Sequence, residues 1–203
     1  VINSGAEVFS VSQSLFPKIC YRDRPEGLVG VLPFFETSLN NLEVTNHVNP
    51  LYLVVESIEK PGNLGTMLRT ADAVGVSGLI VCNRCTDIFN PNVLRASTGT
   101  VFSVPIAEAT TEETIEWLKK HQIKTIAADP YAKTVYYKQN FTGPLAIILG
   151  AEQFGLSDTW KNKSDYLVSI PMRGLADSLN VAQAGTILLF EVKRQIELNL
   201  ENS

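Results

Sequence analysis

Short apolar runs alternate with amphipathic stretches along most of the chain. A short apolar run bounded by turn residues is typical of a buried strand, whereas apolar residues at helical spacing are typical of a helix. The first pattern predicts strands at residues 51–55, 78–81, 101–105, 124–128, 146–149 and 166–170. The second predicts helices at residues 63–75, 91–97 and 110–121, and from residue 181 onward. Strands that are apolar almost throughout are typical of parallel sheets, so we predict an α/β fold.

The predicted helix at residues 63–75 turns Arg69 away from its buried side. Its apolar stripe comprises Leu64, Leu68, Ala71 and Val74. Asn63 is a plausible N-cap, because its side-chain oxygen can accept a free N–H group of the first turn. Arg69 is therefore free to point toward a pocket or toward water. An ordinary surface arginine is the alternative interpretation.

The helix that starts at Val181 is strongly apolar and is predicted to be mostly buried, with Phe190 in its stripe. The polar loop before it contains Asp177 and Ser178, whose side-chain oxygens suit helix capping. Gly174 lets the backbone approach another group closely or adopt a positive φ. A strand, a capped loop and a core helix without any ligand is one interpretation of this segment.

Three of the predicted strands end in loops that are rich in Gly, Asn and Glu. These loops follow the strands at residues 51–55, 146–149 and 166–170. Ligands of open α/β sheets bind in the crevice outside the carboxyl ends of the strands. The three loops therefore predict one shared pocket.

The same loops carry three motifs that resemble the signature motifs of the SpoU (TrmH-type) RNA methyltransferases. The motifs are Asn63-x-Gly65-x-x-x-Arg69-x-Ala71, Leu149-Gly150-x-Glu152-x-x-Gly155-Leu156 and Ile170-Pro171-Met172-x-Gly174-x-x-x-Ser178-Leu179-Asn180-Val181. They occur in the family's order, and the resemblance covers roughly residues 50–198. It implies a SPOUT fold, which is a mostly parallel α/β sheet with helices on both faces and a C-terminal trefoil knot. Knots are among the rarest topologies in proteins, and no periodicity in the chain predicts one.

The resemblance further implies that a homodimer methylates a ribose 2′-hydroxyl in structured RNA and uses S-adenosylmethionine as the cofactor. Ribosomal RNA is favoured over tRNA, because the N-terminal segment resembles part of the rRNA enzymes. The catalytic residues that the resemblance assigns are Arg69, Asn63, Glu152, Ser178 and Asn180. The residues that it assigns to the methyl donor, mainly through backbone groups, are Leu149, Gly150, Ile170, Met172, Gly174 and Leu179. No metal is expected.

Within this resemblance, Arg69 acts as a base or as an activator of the 2′-hydroxyl. An arginine is effectively never deprotonated in proteins. We therefore favour stabilisation of the developing alkoxide by the charge of Arg69, with an RNA phosphate helping to fix the side chain. The other four polar residues would orient Arg69 and the ribose.

The first part of the chain differs in pattern from the rest. Residues 1–36 hold short apolar pieces and resemble the C-terminal part of a small ribosomal-protein-like RNA-recognition domain. Residues 37–50 are polar and aperiodic, which predicts a linker, and residues 51–203 form the predicted methyltransferase domain. Because the chain starts at Val1 inside an ongoing pattern, we expect it to lack an N-terminal portion.

The net charge of −4 argues mildly against a nucleic-acid partner, because phosphate contacts require Lys and Arg. A local basic cluster can still form on an acidic protein, and a dimer would bring two such clusters together. The candidates are Lys18, Arg22, Arg24, Lys60, Arg69, Arg95 and Arg173. A scatter of solvated surface charges is the alternative for any one of them.

The size and composition of the chain allow a full core, since it has 203 residues and a hydrophobic content of 45%. No apolar run approaches the ~20 residues that span a bilayer, and no secretory signal is recognisable. We therefore expect a cytoplasmic protein without a membrane partner.

Cys82 and Cys85 have the CxxC spacing of some metal and redox sites. The other candidate ligands are Cys20, His47 and His121, and none of them lies at metal-ligand spacing. We interpret the two thiols as strand-end residues, with a functional pair as the alternative.

Aromatic residues occur in a long irregular loop predicted at residues 129–143. They are Tyr131, Tyr136 and Tyr137. Aromatic side chains on a loop can stack on bases, but packing over the sheet is the favoured interpretation. The residues after the next strand that we predict to be core or interface residues are Phe154, Leu156 and Trp160.

Two alternative interpretations, from other functional classes of protein, remain open. A Rossmann-type nucleotide-dependent enzyme would need a glycine fingerprint and an acidic residue at a set distance, both of which the sequence lacks. A non-catalytic RNA-binding relative is the second alternative, and the intact set of polar motif residues argues against it.

Overall fold

The computed structural model describes residues 5–22, 24–44 and 49–201. The chain divides into two compact units, Val1–Phe35 and Glu36–Ser203. The first unit contains a short helix, α1 (Phe16–Ile19). None of its described residues is buried, and Val31 is 95% exposed. The apolar residues of this unit therefore do not form a core of their own within its described part.

The second unit is built on a seven-stranded sheet whose strand pairs are all parallel. The strands are β1 (Leu51–Glu56), β2 (Gly78–Cys82), β3 (Ile106–Ala109), β4 (Lys124–Ala128), β5 (Thr134–Val135), β6 (Leu145–Leu149) and β7 (Tyr166–Ser169). Their order across the sheet is β3-β2-β1-β6-β4-β7-β5. Every residue of β1, β2 and β6 is buried, which explains why these strands are apolar almost throughout. The predicted parallel α/β fold is confirmed.

Helices cover both faces of this sheet. They are α2 (Pro61–Val74), α3 (Pro91–Ser97), α4 (Thr111–Lys120), α5 (Asp158–Lys163) and α6 (Val181–Glu201). Ile148 packs in one core cluster with Leu118 of α4 and Trp160 of α5. Successive strand residues point to opposite faces. Leu149 accordingly faces the other side, where a Cβ atom on Gly185 of α6 would lie 2.8 Å from its Cδ1 atom.

Helix α2 begins earlier than the sequence predicts. Its first residue is Pro61, whose missing N–H group is not needed at that position. Lys60 precedes the helix without a side-chain cap, so the prediction of Asn63 as the N-cap is wrong. Gly75 ends the helix with a φ of 73°. The predicted buried stripe is confirmed at Leu64, Leu68, Ala71 and Val74.

The predicted strand at residues 101–105 is wrong, because this segment begins in a short 3₁₀ helix (Thr100–Phe102) and β3 starts only at Ile106. Val101 and Val104 are nevertheless buried. Their apolar character results from packing in the connection before β3. A short apolar run looks the same in the sequence whether it forms a buried connection or a buried strand. The other predicted strands are confirmed to within about one residue at each end.

Helix α4 starts with the predicted capping box. Thr110 Oγ1 accepts a hydrogen bond from the Glu113 N–H at 3.2 Å, and Glu113 Oε2 accepts one from the Thr110 N–H at 2.8 Å. The hydrogen bonds from Thr110 hold the pKa of Glu113 below its ordinary value. Ile115 and Leu118 pack in the core as predicted.

Helix α6 buries Leu188, Leu189 and Val192, in agreement with its helical spacing. Phe190 is 50% exposed, so its predicted place in the buried stripe is wrong. It lies two positions from both Leu188 and Val192, and residues two apart on a helix do not share a face.

Part of the predicted linker packs against the edge of the sheet. The carbonyl oxygen of Thr37 accepts a hydrogen bond from the Glu108 N–H of edge strand β3 at 2.8 Å. Leu42 is buried in the core cluster. Residues 45–48 of the predicted linker lie outside the described residues. Residues 37–42 therefore satisfy part of an otherwise open strand edge.

Candidate active site

The carboxyl ends of β6, β4 and β7 meet at one edge of the sheet, because these strands are adjacent and parallel. The loops that leave them enclose a cavity of about 510 Å³. Two of the three loops that the sequence predicts to share a pocket, those after β6 and β7, line this cavity. The third, after β1, contributes Lys60, and the loop after β4 takes a larger part than predicted. Its apolar lining includes Leu149, Leu156, Ile170, Met172 and Leu179. Its polar lining includes Asp129, Glu152, Asp177, Ser178 and Asn180.

Gly150 belongs to a tight turn that closes one side of the cavity. Ala151 and Gly155 form an antiparallel bridge, with both N–H···O distances at 2.9 Å. A Cβ atom on Gly150 would overlap the carbonyl group of Gly155. Gly155 itself has a φ of 67°, which glycine adopts at little cost. Close backbone packing therefore explains Gly150, and the positive φ explains Gly155.

Glu152 lies in this turn and accepts hydrogen bonds from the segment that starts α2. Its Oε2 atom accepts from the Glu59 N–H at 3.1 Å. Its Oε1 atom accepts from the Lys60 N–H at 3.2 Å and from Asn63 Nδ2 at 2.8 Å. Partial burial raises the pKa of Glu152, but the hydrogen bonds outweigh it and hold the pKa below its ordinary value. Glu152 is therefore an anion at neutral pH that ties the cavity loop to α2.

A chain of amide hydrogen bonds continues from Glu152 to α6. An ionised carboxylate only accepts, so Asn63 must turn its amino group toward Glu152 and its oxygen away. That oxygen accepts from Asn180 Nδ2 at 3.1 Å, and Asn180 Oδ1 accepts from the Ala182 N–H at 2.9 Å. The charge of Glu152 therefore fixes the direction of every bond in the chain.

The cap of α6 is Asn180, and the prediction that Asp177 and Ser178 cap this helix is wrong. Helix α6 begins at Val181, immediately after Asn180. Ser178 Oγ instead donates to Asp177 Oδ1 at 3.4 Å. Asp177 and Ser178 precede the helix by too many residues to reach the N–H groups of its first turn.

Most of the residues that the motifs assign to a site lie around this one cavity. Those that line it are Leu149, Gly150, Glu152, Ile170, Met172, Ser178, Leu179 and Asn180. Asn63 is hydrogen-bonded to two of them. Arg69 and Gly174 are exposed and do not line the cavity. Within the described chain, the guanidinium group of Arg69 makes no hydrogen bond or ion pair.

Close contacts on two sides hold α2 in place. A Cβ atom on Gly65 would lie 2.7 Å from the carbonyl oxygen of Val93 and 2.9 Å from the Ser97 nitrogen of α3. On the other side, Thr70 Oγ1 lies 3.0 Å from Thr186 Oγ1 of α6. Gly65 thus serves helix packing, and the packing orients the polar motif residues of α2.

Exposed aromatic rings lie at the cavity. Tyr131 is 84% exposed and Phe154 is 75% exposed, and both contribute to the lining. Tyr137 is also exposed, so the favoured interpretation that Tyr131 and Tyr137 pack over the sheet is wrong. Phe154 is not a core residue, whereas Leu156 and Trp160 are buried as predicted.

Glu56 is a buried carboxylate at the end of β1 that sequence reasoning missed. Its Oε1 atom accepts from Thr111 Oγ1 at 2.8 Å and from Ser157 Oγ at 2.9 Å, and its Oε2 atom accepts from the Ser157 N–H at 2.9 Å. Glu56 therefore joins the N-terminal ends of α4 and α5, where a negative charge is favourable. The signal in the sequence that could have revealed Glu56 is a charged residue at the end of an apolar strand.

Cys82 and Cys85, which have the CxxC spacing, differ in their exposure. Among the described residues, no group of three or more His, Cys, Asp or Glu side chains is arranged to hold a metal ion. Cys82 is buried, and burial raises its pKa to about 12, so it is a neutral thiol at physiological pH. Cys85 is exposed. His47 lies outside the described residues.

Of the helices in the described part of the chain, none combines the length and the apolar character that a membrane crossing requires.

The fold and the cavity define an α/β protein with a cavity at the carboxyl edge of a parallel sheet, which is where ligands of such sheets bind. The model of the SpoU rRNA Methylase family matches residues 50–190. The chain belongs to this family.

Among its relatives, the 23S rRNA (uridine(2479)-2′-O)-methyltransferase of Streptomyces viridochromogenes is 34% identical over 179 residues, which are 85% of this chain and 62% of the relative. The 23S rRNA (guanosine-2′-O-)-methyltransferase RlmB of Ralstonia nicotianae is 31% identical over 195 residues, or 95% of this chain and 78% of the relative. The crystal structure of an AdoMet-bound rRNA methyltransferase from Sinorhizobium meliloti matches with a TM-score of 0.89 and 34% identity, covering 96% of this chain and 74% of that chain. The chain spans about three fifths of the length of the Streptomyces relative.

Proposed function

We propose that this protein methylates a ribose 2′-hydroxyl of structured RNA and uses S-adenosylmethionine as the methyl donor. The observation that carries the proposal is that the second and third motifs line one cavity, and that Asn63 of the first motif is hydrogen-bonded to Glu152 and Asn180 in that lining. Membership in the SpoU rRNA methylase family supports the same reaction.

The cavity fits the methyl donor in size and in chemistry. Its volume of about 510 Å³ lies within the range of about 300–1,000 Å³ that small-molecule sites occupy. Leu149, Ile170 and Met172 provide apolar walls that suit a neutral adenine. Glu152 supplies negative charge at the same cavity, which suits a cationic ligand. When bound, S-adenosylmethionine supplies a methyl group activated by its positively charged sulfur.

Arg69 is the residue that we propose for stabilising charge on the 2′-oxygen. Its guanidinium group stays protonated, so it acts as a fixed positive charge rather than as a base. The side chain is exposed and makes no ion pair within the described residues, which leaves it available to an RNA phosphate and to the ribose. Asn63, Ser178 and Asn180 are proposed to position the ribose oxygen in line with the methyl group.

Ribosomal RNA is the proposed substrate, with tRNA as the alternative. The names of both curated relatives above specify 23S rRNA, one at a uridine and the other at a guanosine, so the target base is left open. Arg69, Arg95 and Arg173 are exposed and form no ion pair in the described chain, which gives an acidic protein cationic groups for phosphates.

The assembly is proposed to be a homodimer. Arg69 does not line the cavity of its own chain, and Phe190 leaves an aromatic ring half exposed on α6. A second copy packed against α6 would cover that ring. Analytical ultracentrifugation should therefore give twice the mass of one chain, and Phe190→Asp should shift it toward the monomer.

Three further parts of the proposal come from the family resemblance. The C-terminal loops after β6 and β7 are proposed to form a trefoil knot, and their closeness around one cavity agrees with this. The unit Val1–Phe35 is proposed to be the end of an RNA-recognition domain, which agrees with its exposed apolar residues. The cytoplasmic location stays a prediction from the sequence.

The proposal is tested by methyl transfer from labelled S-adenosylmethionine to rRNA fragments. We expect Arg69→Ala to bind the donor with unchanged affinity and to lose at least about a hundredfold in methylation rate. Lys120→Ala is the matched control, since it removes an exposed positive charge from α4 outside the cavity. Normal turnover by Arg69→Ala would overturn the assignment of this residue.

A further inference from the structure

Asp129 is a carboxylate of the cavity that belongs to none of the three motifs. It follows β4 directly, and β4 lies between β6 and β7 in the sheet. Asp129 therefore sits at the carboxyl edge between the two loops that carry most of the predicted site. It is partly buried and lines the cavity.

The position of Asp129 is fixed by its own hydrogen bonds. Its N–H group donates to the carbonyl oxygen of Val168 at 2.9 Å, and its carbonyl oxygen accepts from the Ala132 N–H at 3.0 Å. Its Oδ1 atom accepts from the Tyr131 N–H at 2.9 Å, which closes an Asx turn around Pro130. Within the described chain, no group donates to Oδ2, and no basic side chain pairs with the carboxylate.

Among the described residues, Asp129 Oδ2 is not one of the buried side-chain atoms that lack a hydrogen-bond partner, so this oxygen is open to water or to a ligand in the cavity. The other carboxylates of the cavity differ from Asp129. Glu152 is committed to three N–H groups, and Asp177 is exposed and accepts from Ser178. Asp129 is thus the partly buried carboxylate of the lining that keeps an oxygen open.

We propose that Asp129 Oδ2 accepts hydrogen bonds from the ribose hydroxyls of the adenosine part of the methyl donor. The inference rests on the proposed function. One carboxylate oxygen has two lone pairs and can serve two neighbouring hydroxyls. Acidic residues near the carboxyl edge of parallel sheets hold ribose hydroxyls in dinucleotide-binding proteins. The apolar remainder of the lining suits the base, which leaves the hydroxyls as the polar groups that need an acceptor.

Asp129→Asn separates ligand binding from the support of the turn. The asparagine oxygen can still accept from the Tyr131 N–H, so the Asx turn is kept. Its amino group then replaces the open, charged oxygen with a neutral donor. Asp158→Asn is the matched control, because it makes the same change at an exposed aspartate that does not line the cavity.

The test is calorimetric titration of both variants and the wild type with S-adenosylhomocysteine and with its 2′-deoxy and 3′-deoxy analogues. We expect the wild type and Asp158→Asn to bind the deoxy analogues about tenfold more weakly than the parent compound. Asp129→Asn should bind the parent compound about tenfold more weakly and should no longer discriminate among the three.

Unchanged affinity of Asp129→Asn would overturn the inference. So would weaker binding with the discrimination intact, because Asp129 would then only support the turn. If the wild type itself bound none of the compounds, the proposed function would fail together with this inference. Wild-type binding that is insensitive to Asp129 would overturn the inference alone.

Discussion

Replacing Glu152 by glutamine should break the hydrogen-bonded chain that connects the cavity loop, α2 and α6. The carboxylate accepts from Glu59, Lys60 and Asn63, and glutamine has only one oxygen for these donors. If that oxygen faces Lys60 and Asn63, the new amino group meets the Glu59 N–H. Glu152→Gln therefore forces one donor to face another.

Rotating the glutamine amide by half a turn does not remove this clash between two donors but transfers it to another pair of groups. If the glutamine amino group faces Asn63, both asparagine amides must flip. The amino group of Asn180 then points at the Ala182 N–H, and the cap of α6 is lost. A lost cap costs about 1 kcal/mol, and a lost hydrogen bond to a charged group costs about 1.5–3 kcal/mol. Because Glu152 is partly exposed to solvent, we expect a loss of about 2 kcal/mol in the free energy of unfolding.

Urea unfolding, followed by the fluorescence of Trp117 and Trp160, measures this loss. With a denaturant slope of about 2 kcal/mol per molar urea, the midpoint should fall by about 1 M. Glu116→Gln is the control, since Glu116 is exposed on α4 and makes no hydrogen bond within the described residues. Equal midpoints for the two variants would refute the reasoning.

The stability difference should also depend on pH. The pKa of Glu152 in the folded protein lies below its ordinary value, so its stabilising effect is complete above the unfolded-state pKa of about 4.3. It is lost as the pH falls through the lower folded-state pKa. The gap between the wild type and Glu152→Gln should therefore be full at about pH 7 and shrink below about pH 4. A gap that stays constant on acidification would contradict this.

Two further substitutions test the packing around the site. Gly150→Ala should destabilise the protein by about 3 kcal/mol and abolish binding of S-adenosylhomocysteine, because the new methyl group overlaps the Gly155 backbone. Gly62→Ala is the control, because a Cβ atom there meets open space. It should change neither the urea midpoint nor the calorimetric titration with S-adenosylhomocysteine. Thr110→Ala should remove the capping box of α4 and lower the free energy of unfolding by about 1 kcal/mol, and an accompanying change in ligand affinity would contradict its structural role.

The sequence predicts the sheet well because its central strands are buried on both faces. β1 and β6 consist of apolar residues almost throughout, and parallel strands of this kind stand out from the polar loops between them. The capping box at Thr110 is equally local, since both partners lie within one helical turn. These local features were therefore predictable, although the local capping prediction for Asp177 and Ser178 was wrong.

Features that depend on distant residues were not. Asn63 looks like an N-cap, but its partner Glu152 lies 89 residues further along the chain. Val101 and Val104 look like part of a strand because they are apolar and buried, although Val101 lies in a short 3₁₀ helix and Val104 in the turn that follows it. Asp129 has no motif around it, and its place at the cavity follows from the sheet order β6-β4-β7. Such positions become visible only when the topology is known.

Binding of the methyl donor is the step of the proposed reaction that can be tested without RNA. Calorimetric titration of the purified protein with S-adenosylmethionine, S-adenosylhomocysteine and NAD therefore comes first. We expect binding of the methyl donor and its product at micromolar concentrations and no binding of NAD. Binding of NAD without binding of either adenosyl compound would contradict the proposed use of the cavity.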